Sequence, residues 1–392
     1  MTNICTPPRN RQELPHHEAS RPTWLELFYD LVFVAVFIQV GDLLSSDVTW
    51  LGAGKVVVLF APLWWVWANF VWYMNQFHVD DVWHRFILIV QIFLVAWMGI
   101  TVTGAFGDSS TEFVLCYIGF RLTMILMYIR SFKHMPEARS LMIFYIRNYH
   151  FVGAVCWGGS LLLPPDQRWM VWVGVFIWEL RNSFSKTLSN YLEKFPVHLG
   201  HLAERYGTLI ILVLGESFIK SITVDPAPAF SLENILFTFP GTILLFSLWW
   251  IYFDDAHDEE PEVNEDSFLS RDSAVLWLYT HLPLSLVLIS FGVAITKLVG
   301  EIGAEYLKPE YATLFLGSLA LFCILLTFIT QKDEKSCIYW RLGSALLLLL
   351  MIPAVILWKW TATITILFSV LIFGAQVIRE VLATKKETVA DV

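Results

Sequence analysis

The sequence predicts an all-α integral membrane protein, on three observations: its composition, its recurring apolar runs and the lopsided placement of its basic residues. Of 392 residues, 56% are hydrophobic and 16% charged, and the mean hydropathy is +0.60. A soluble domain carries roughly a quarter of its residues as charges, so a chain this apolar lacks the polar surface that water requires. A hydrocarbon layer about 30 Å thick is crossed by about 20 apolar residues in a helix, and such runs recur along the whole chain.

The first run is WLELFYDLVFVAVFIQVGDLL, residues 24–44. It is followed by 53–75, 84–106, 112–130, 148–164 and 168–183, and then by 204–222, 234–253, 273–298, 310–330, 338–358 and 360–380. The expectation is therefore about twelve transmembrane helices, the fifth and sixth being short. Trp50, Trp83, Trp169, Trp358 and Trp360 stand near the ends of runs, where an interfacial aromatic belt would put them.

Basic residues fix the orientation, because cytoplasmic loops carry an excess of Lys and Arg. Lys55, Arg168, Lys220, Lys297, Lys308 and Lys359 fall on one side, Arg121 lies inside the fourth run, and all the others fall on the opposite side. Both termini are thus expected in the cytoplasm of a cell-membrane protein. The polar, Pro-rich segment 1–23 has no secretory-signal pattern and is expected to be a disordered tail. The remaining divisions expected are a six-helix half at 24–183, a cytoplasmic linker at 184–203, a second six-helix half at 204–380 and a C-terminal tail at 381–392.

The two halves carry related blocks. LWWVWANF at 63–70 is echoed by LWWIYFDD at 248–255, and Glu26 at the head of the first run by Glu204 at the head of the seventh. A six-plus-six parallel repeat fits, since an even number of crossings returns each copy to the same side, as in transporters built from parallel repeats.

Ionisable groups inside the apolar runs are the informative positions, because each costs roughly 2.5–3.5 kcal/mol at the bilayer centre unless it finds a partner or water. Glu26 and Asp30 are one helical turn apart and share a stripe with Phe33 and Phe37. His201, Glu204 and Arg205 cluster at the mouth of the seventh run, with Glu216 deeper and Lys220 one turn beyond it. Arg121 lies near the centre of the fourth run, and a buried network joining it to Asp30 or Glu216 is expected. His281 followed by Pro283 marks a kink or a proton relay. Asp42 reads as a solvated helix end, and the acidic stretch 254–266, DDAHDEEPEVNED, as a solvated loop. Such charged networks are either structural clamps or sites for an ion, a proton or an anionic substrate.

Catalysis finds no foothold: the sequence has no phosphate-binding glycine loop, nucleophile elbow or HExxH pattern. The scattered cysteines, Cys5, Cys116, Cys156, Cys323 and Cys337, have no metal-ligand spacing. No metal, cofactor, disulfide or nucleic-acid partner is expected, only the lipid bilayer and an ion or small solute.

Two stretches, RPTWLELFYDLVFVAVFIQVGDLL and GHLAERYGTLIILVLGESFIKSI, resemble the two signature regions of the bacterial low temperature requirement protein A (LtrA) family. That pattern, E-x-F-[YF]-D-L-V-F-V followed by H-x-x-E-R-x-G and L-G-E, falls on Glu26, Phe28, Tyr29, Asp30 and Phe33, then on His201, Glu204, Arg205, Gly207, Gly215 and Glu216. The resemblance implies an integral membrane protein linked by the family's name to growth in the cold, and carries no molecular activity with it. A fainter likeness is to tandem six-helix potassium channels with a Phe-and-Asp motif in each half, from which this chain departs at Thr208.

The functional expectation is a transporter or channel with a polar site between the two halves, made of Glu26, Asp30, Arg121, His201, Glu204, Arg205 and Glu216, with Lys220 and His281 as secondary candidates. A membrane-embedded lipid-modifying enzyme and a non-catalytic membrane stress component are the alternatives.

Overall fold

The computed structural model describes residues 6–222, 232–256, 271–329 and 335–390, and these are nearly all helical. The order is β1 (Arg9–Asn10), a 3-10 turn (Arg11–Glu13), α1 (His16–Ser20), α2 (Trp24–Ser46), α3 (Trp50–Gln76), β2 (Phe77–His78), α4 (Val82–Thr101) and α5 (Ser110–His134). It continues with α6 (Arg139–Tyr145), a π-helical segment (Ile146–Phe151), α7 (Val152–Ser160), α8 (Trp169–Ser183), α9 (Lys186–Lys194) and α10 (Leu199–Ile222). Last come α11 (Leu232–Ala256), α12 (Arg271–Gly300), α13 (Pro309–Ile329), α14 (Lys335–Leu357) and α15 (Ala362–Ala390).

Among the described residues, eight helical stretches are long and apolar enough to cross a membrane: Glu18–Ser46, Trp50–Gln76, Val82–Gly104, Ser110–His134, Val275–Gly300, Pro309–Ile329, Ser336–Leu357 and Ala362–Leu382. They cover the expected first four and last four runs. The middle runs are helical but differ in kind. α8 has 15 residues, about 22 Å of helix against a layer of about 30 Å. The fifth run is interrupted by the π-helical segment, which carries Arg147 and His150. α10 includes Arg205, Glu216 and Lys220. Most of the acidic stretch 254–266 lies outside the described residues, with Asp254 and Asp255 closing α11.

The chain divides into two compact units. The first takes in the described residues up to Leu43 and Gly54–Leu209; the second takes in Leu44–Ala53 and nearly all of the described chain from Ile210 on. In the first, α4 and α5 pack along each other, and α5 also packs on α7. Its core is aromatic: Trp64, Trp67, Trp157 and Trp172 are fully buried, with Trp157 and Trp172 stacked at 4.9 Å and an interplanar angle of 4°. Aromatic pairs of this kind add about 0.5–1.5 kcal/mol beyond the area they bury. The unit's exposed apolar residues include Trp24 and Trp83, as a lipid-facing exterior with aromatic ends requires.

Residues 9–20 depart from the expected disordered tail. β1 pairs antiparallel with β2, Arg9 opposite His78 and Asn10 opposite Phe77, and the segment that follows is folded against the unit, with Arg11 and Ala19 buried. Two polar fastenings, described below, hold it there.

In the second unit α13 packs along α14, and α11 along α15. α10 and α12 approach closely: a Cβ at Gly292 would lie 2.6 Å from Ser217 Oγ and 3.2 Å from its Cα, while Ser217 Oγ donates to Leu288 O at 3.2 Å. The absent side chain thus permits the approach. Gly292→Ala is expected to cost about 1–3 kcal/mol through overpacking, seen as a lowered melting temperature of the detergent-solubilised protein. Gly317→Ala, in α13 with nothing within 4 Å of the added carbon, should be neutral or mildly stabilising.

Candidate functional site: a buried carboxylate–arginine network

The first turn of α2 begins with a reciprocal cap. Glu26 N donates to Thr23 Oγ1 at 3.3 Å, and Thr23 N donates to Glu26 Oε1 at 3.4 Å, the capping-box arrangement. The cap holds the Glu26 carboxylate at a helix N-terminus, where the helix dipole favours negative charge. One turn on, Asp30 occupies the same stripe, and both side chains are completely buried.

α10 brings a matching stripe, His201 and Arg205, also four residues apart and also fully buried. Arg205 is the centre of the site. Its Nε and Nη2 donate to Asp30 Oδ2 and Oδ1 at 3.0 and 2.5 Å, and its Nη1 donates to Glu26 Oε2 at 2.5 Å. One planar guanidinium thus grips one carboxylate with a fork and a second with its remaining nitrogen, a geometry that Lys cannot copy. From α3, Trp67 Nε1 donates to Asp30 Oδ1 at 2.7 Å.

The second cation is Arg11, from the tail. Its Nη2 donates to Glu26 Oε1 at 3.0 Å, its Nε to Met74 O at 2.8 Å and its Nη1 to Ala19 O at 3.1 Å. Met74 and Ala19 lie in the last turns of α3 and α1, where carbonyls lack intrahelical partners, so Arg11 satisfies two helix ends as well as one carboxylate.

The protonation of His201 follows from its neighbours. Asn75 Oδ1 accepts from His198 N at 2.9 Å and Asn75 Nδ2 donates to His198 O at 2.7 Å, which sets the amide orientation. The other hydrogen of Nδ2 then points at His201 Nδ1, 3.3 Å away, making Nδ1 the acceptor. The ring proton sits on Nε2 and is donated to Glu26 Oε2 at 2.8 Å. With His201 neutral, Arg11 and Arg205 balance Glu26 and Asp30.

A second fastening holds the tail. Asp81 caps α4 by accepting from His84 N at 2.8 Å and accepts from Thr6 N at 2.7 Å. Arg130 Nη1 donates to Asp81 Oδ1 at 3.0 Å, Arg130 Nη2 donates to the other carboxylate oxygen, and Nη2 also donates to Thr6 O at 2.9 Å. Burial works against the Asp81 charge, but Arg130 and the two backbone N–H groups outweigh it and hold its carboxyl below the usual range.

The other expected site residues are placed differently. Arg121 joins neither Asp30 nor Glu216. Its Nη2 donates to Glu179 Oε2 at 2.9 Å and to the Tyr117 hydroxyl, and its Nη1 donates to Tyr149 O at 3.2 Å. Tyr149 lies in the π-helical segment, whose widened turn presents a carbonyl to the guanidinium. Glu204 is exposed rather than part of the buried network, being about 100° around α10 from Arg205. Glu216 and Lys220 are both half-buried on α10. His281 is fully buried, with Nδ1 2.8 Å from Trp277 O and Nε2 3.0 Å from the Tyr252 hydroxyl, a hydrogen-bonded histidine beside Pro283. Asp42 is exposed near the end of α2. Sequence reasoning passed over Trp67, Asn75 and Glu179 and took Arg11 only as a basic residue of the tail. Of these, the lone carboxylate Glu179 in an apolar run was a visible signal.

Fold and site together define a helical protein of the membrane-spanning type with a buried, charge-balanced Glu–Asp–Arg network. The chain belongs to the family described as bacterial low temperature requirement A protein (LtrA), whose pattern matches residues 21–376. It is 26% identical over 279 residues to an uncharacterized protein of Rhizobium meliloti (strain 1021), covering 68% of this chain and 67% of that protein. No solved structure matches the chain.

Two substitutions test the geometry. Arg205→Lys keeps the charge but loses the fork, removing about two charge-assisted hydrogen bonds at about 1.5–3 kcal/mol each. The unfolding free energy in a detergent–denaturant titration should fall by about 3 kcal/mol, and a loss below about 1 kcal/mol would show that the fork is not what holds the site. In α7, a Cβ at Gly153 would lie 2.8 Å from Glu179 Oε1 and 3.3 Å from the Arg121 guanidinium carbon. Gly153→Ala should therefore destabilise by about 1–3 kcal/mol, whereas Gly159→Ala, with open space around it, should not.

Proposed function

We propose that this chain moves an ion or small solute across the cell membrane, and that the Glu26–Asp30–Arg205 network is the latch of its pathway in the closed state. One observation carries the reading: a cavity of about 310 Å³ is bounded by Glu26, Met74 and His84, so one carboxylate of the buried network stands in a cavity wall. A latch that meets a cavity can be coupled to what enters the cavity; a clamp enclosed all round cannot.

The reading keeps about twelve crossings, supported by helical structure over most of each expected run, with both ends in the cytoplasm, supported by the placement of Lys and Arg. It keeps Glu216, Lys220 and His281, ionisable groups of the second unit, as secondary candidates. A part in growth at low temperature is taken from the family description alone.

A second reading is favoured by a specific observation. All four oxygens of Glu26 and Asp30 accept hydrogen bonds and the charges cancel, as in a structural clamp that never releases a partner. Reconstitution into liposomes separates the two. On the transport reading, purified protein moves an ion or solute, and Asp30→Asn lowers that flux at least about tenfold, equivalent to about 1.4 kcal/mol, while the chain still folds by circular dichroism. Absence of flux across a panel of monovalent ions and small solutes, together with unaltered growth in the cold of hosts carrying Asp30→Asn or Glu216→Gln, would reject transport in favour of the clamp.

A further inference from the structure

Arg85, Arg121, Arg130 and Arg341 are each spent on one carboxylate: Asp80, Glu179, Asp81 and Glu380. Arg11 and Arg205 are spent on the network above. The residues between the last turn of α5 and the end of α9 behave differently. Lys133, Arg139, Arg147, Arg181, Lys186 and Lys194 are all exposed, and none forms an ion pair with a described carboxylate. The exposed carboxylates on the same elements are Glu137 and Glu193.

Local structure gathers these cations within the first unit. α9 is amphipathic: Leu188, Tyr191, Leu192 and Phe195 follow helical spacing and are buried or half-buried, while Lys186, Asn190 and Lys194 share the exposed face. The apolar face is used on α6, which packs on both α9 and α5, and the rings of Phe144 and Tyr191 meet at 5.9 Å. The cationic face of α9 is thereby turned outward, beside the end of α8 that carries Arg181.

Cations set this close repel one another, and the repulsion is relieved by an anion from outside. The apolar neighbours say which anion. Ile143, Trp178 and Phe184 are 49%, 40% and 47% exposed, and the Arg181 guanidinium lies over the Trp178 ring at 4.5 Å. Exposed aromatics interleaved with long basic side chains suit the boundary between acyl chains and headgroups. A soluble anion would leave those apolar faces in water. A bias of Lys and Arg toward one side of a membrane requires only that they lie there, not that they stand unpaired beside exposed aromatics.

We propose that α9 and the adjoining ends of α5, α6 and α8 form a docking surface for anionic phospholipid headgroups, with Arg181 and Lys186 binding phosphate beside Trp178 and Phe184. The surface goes beyond the transport reading and does not depend on it.

The first arm uses the unaltered protein in nanodiscs of phosphatidylcholine, with and without phosphatidylglycerol, and reads lysine acylation by an uncharged reagent with mass spectrometry. Phosphatidylglycerol should slow acylation of Lys186 and Lys194 about fivefold and that of Lys55, exposed on α3, much less. Equal slowing at all three would reduce the effect to general surface potential and overturn the surface. Equal protection by inorganic phosphate in phosphatidylcholine nanodiscs would mark a site for a free anion and overturn the lipid assignment. The second arm counts phospholipids retained in native mass spectra from a mixed-lipid preparation. Arg181→Gln with Lys186→Gln should lower the ratio of phosphatidylglycerol to phosphatidylcholine about fivefold or more, whereas Arg181→Lys with Lys186→Arg, which keeps both charges, should preserve it. A ratio unmoved by the glutamine pair would overturn the surface. Neither readout involves flux, so the surface stands or falls apart from transport.

Discussion

Arg205 is the residue on which the site depends, because it is the one group that touches both carboxylates of the first motif helix. Two carboxylates one turn apart repel each other, and in an apolar surrounding that repulsion is scarcely screened. A point charge could neutralise one of them. A guanidinium offers directed donors on three nitrogens, and here Nε, Nη1 and Nη2 are all used on carboxylate oxygens. The rest follows from the oxygens that Arg205 leaves over. Glu26 Oε1 is taken by Arg11 and the Thr23 cap, and Glu26 Oε2 is shared with His201. Asp30 Oδ1 is shared with Trp67. An apolar bundle tolerates such a network only when it is complete, since an unpaired member costs more than the whole network returns.

The two buried arginine sites of the first unit differ in this respect. Within the Arg205 network every carboxylate oxygen of Glu26 and Asp30 and every guanidinium nitrogen of Arg205 and Arg11 has a partner, although the neighbouring Tyr29 hydroxyl has none among the described residues. Around Arg121 the ion pair with Glu179 is made, but Arg121 Nε and both ring nitrogens of the buried His150 have no hydrogen-bond partner among the described residues. The difference tracks the local backbone. The Arg205 site is assembled from the ends of regular helices, where free N–H and C=O groups supply extra partners. The Arg121 site sits against a π-helical segment in mid-bundle, where Tyr149 O is the backbone group it reaches.

What was legible in the sequence divides along the same line. Helix positions were readable because hydropathy alone requires them, and the pairs Glu26/Asp30 and His201/Arg205 were readable because a spacing of four puts two residues on one stripe. That same spacing assigns Glu204 to a different face of α10, a point that the likeness of Glu204 to Glu26 obscured. LWWVWANF and LWWIYFDD are alike in letters, but Trp64 is fully buried and Trp249 is 40% exposed, so similar blocks meet different surroundings. The partner of Arg121 was not readable, because two intramembrane carboxylates were weighed and Glu179 was a third. Arg11 was hidden for another reason: nothing in the polar stretch around it differs from a solvated tail, and its role exists only once β1 has paired with β2 and brought it to the helix ends.

Completeness of the Arg205 network also constrains how it could open. Drawing Arg205 away from Glu26 and Asp30 would leave buried charges uncompensated, at about 3–5 kcal/mol for a broken pair. Arg11 could hold Glu26 during such a movement, but the described structure gives Asp30 no second cation. Asp30 and Arg205 would therefore travel together, and with them the first turns of α2 and α10. Glu26 is the member with two independent cations, Arg11 on Oε1 and Arg205 on Oε2, and it is the member that stands in the cavity wall. Exchange of a partner is cheapest at the carboxylate that keeps another one, which makes Glu26, rather than the more rigidly forked Asp30, the point where the network can yield.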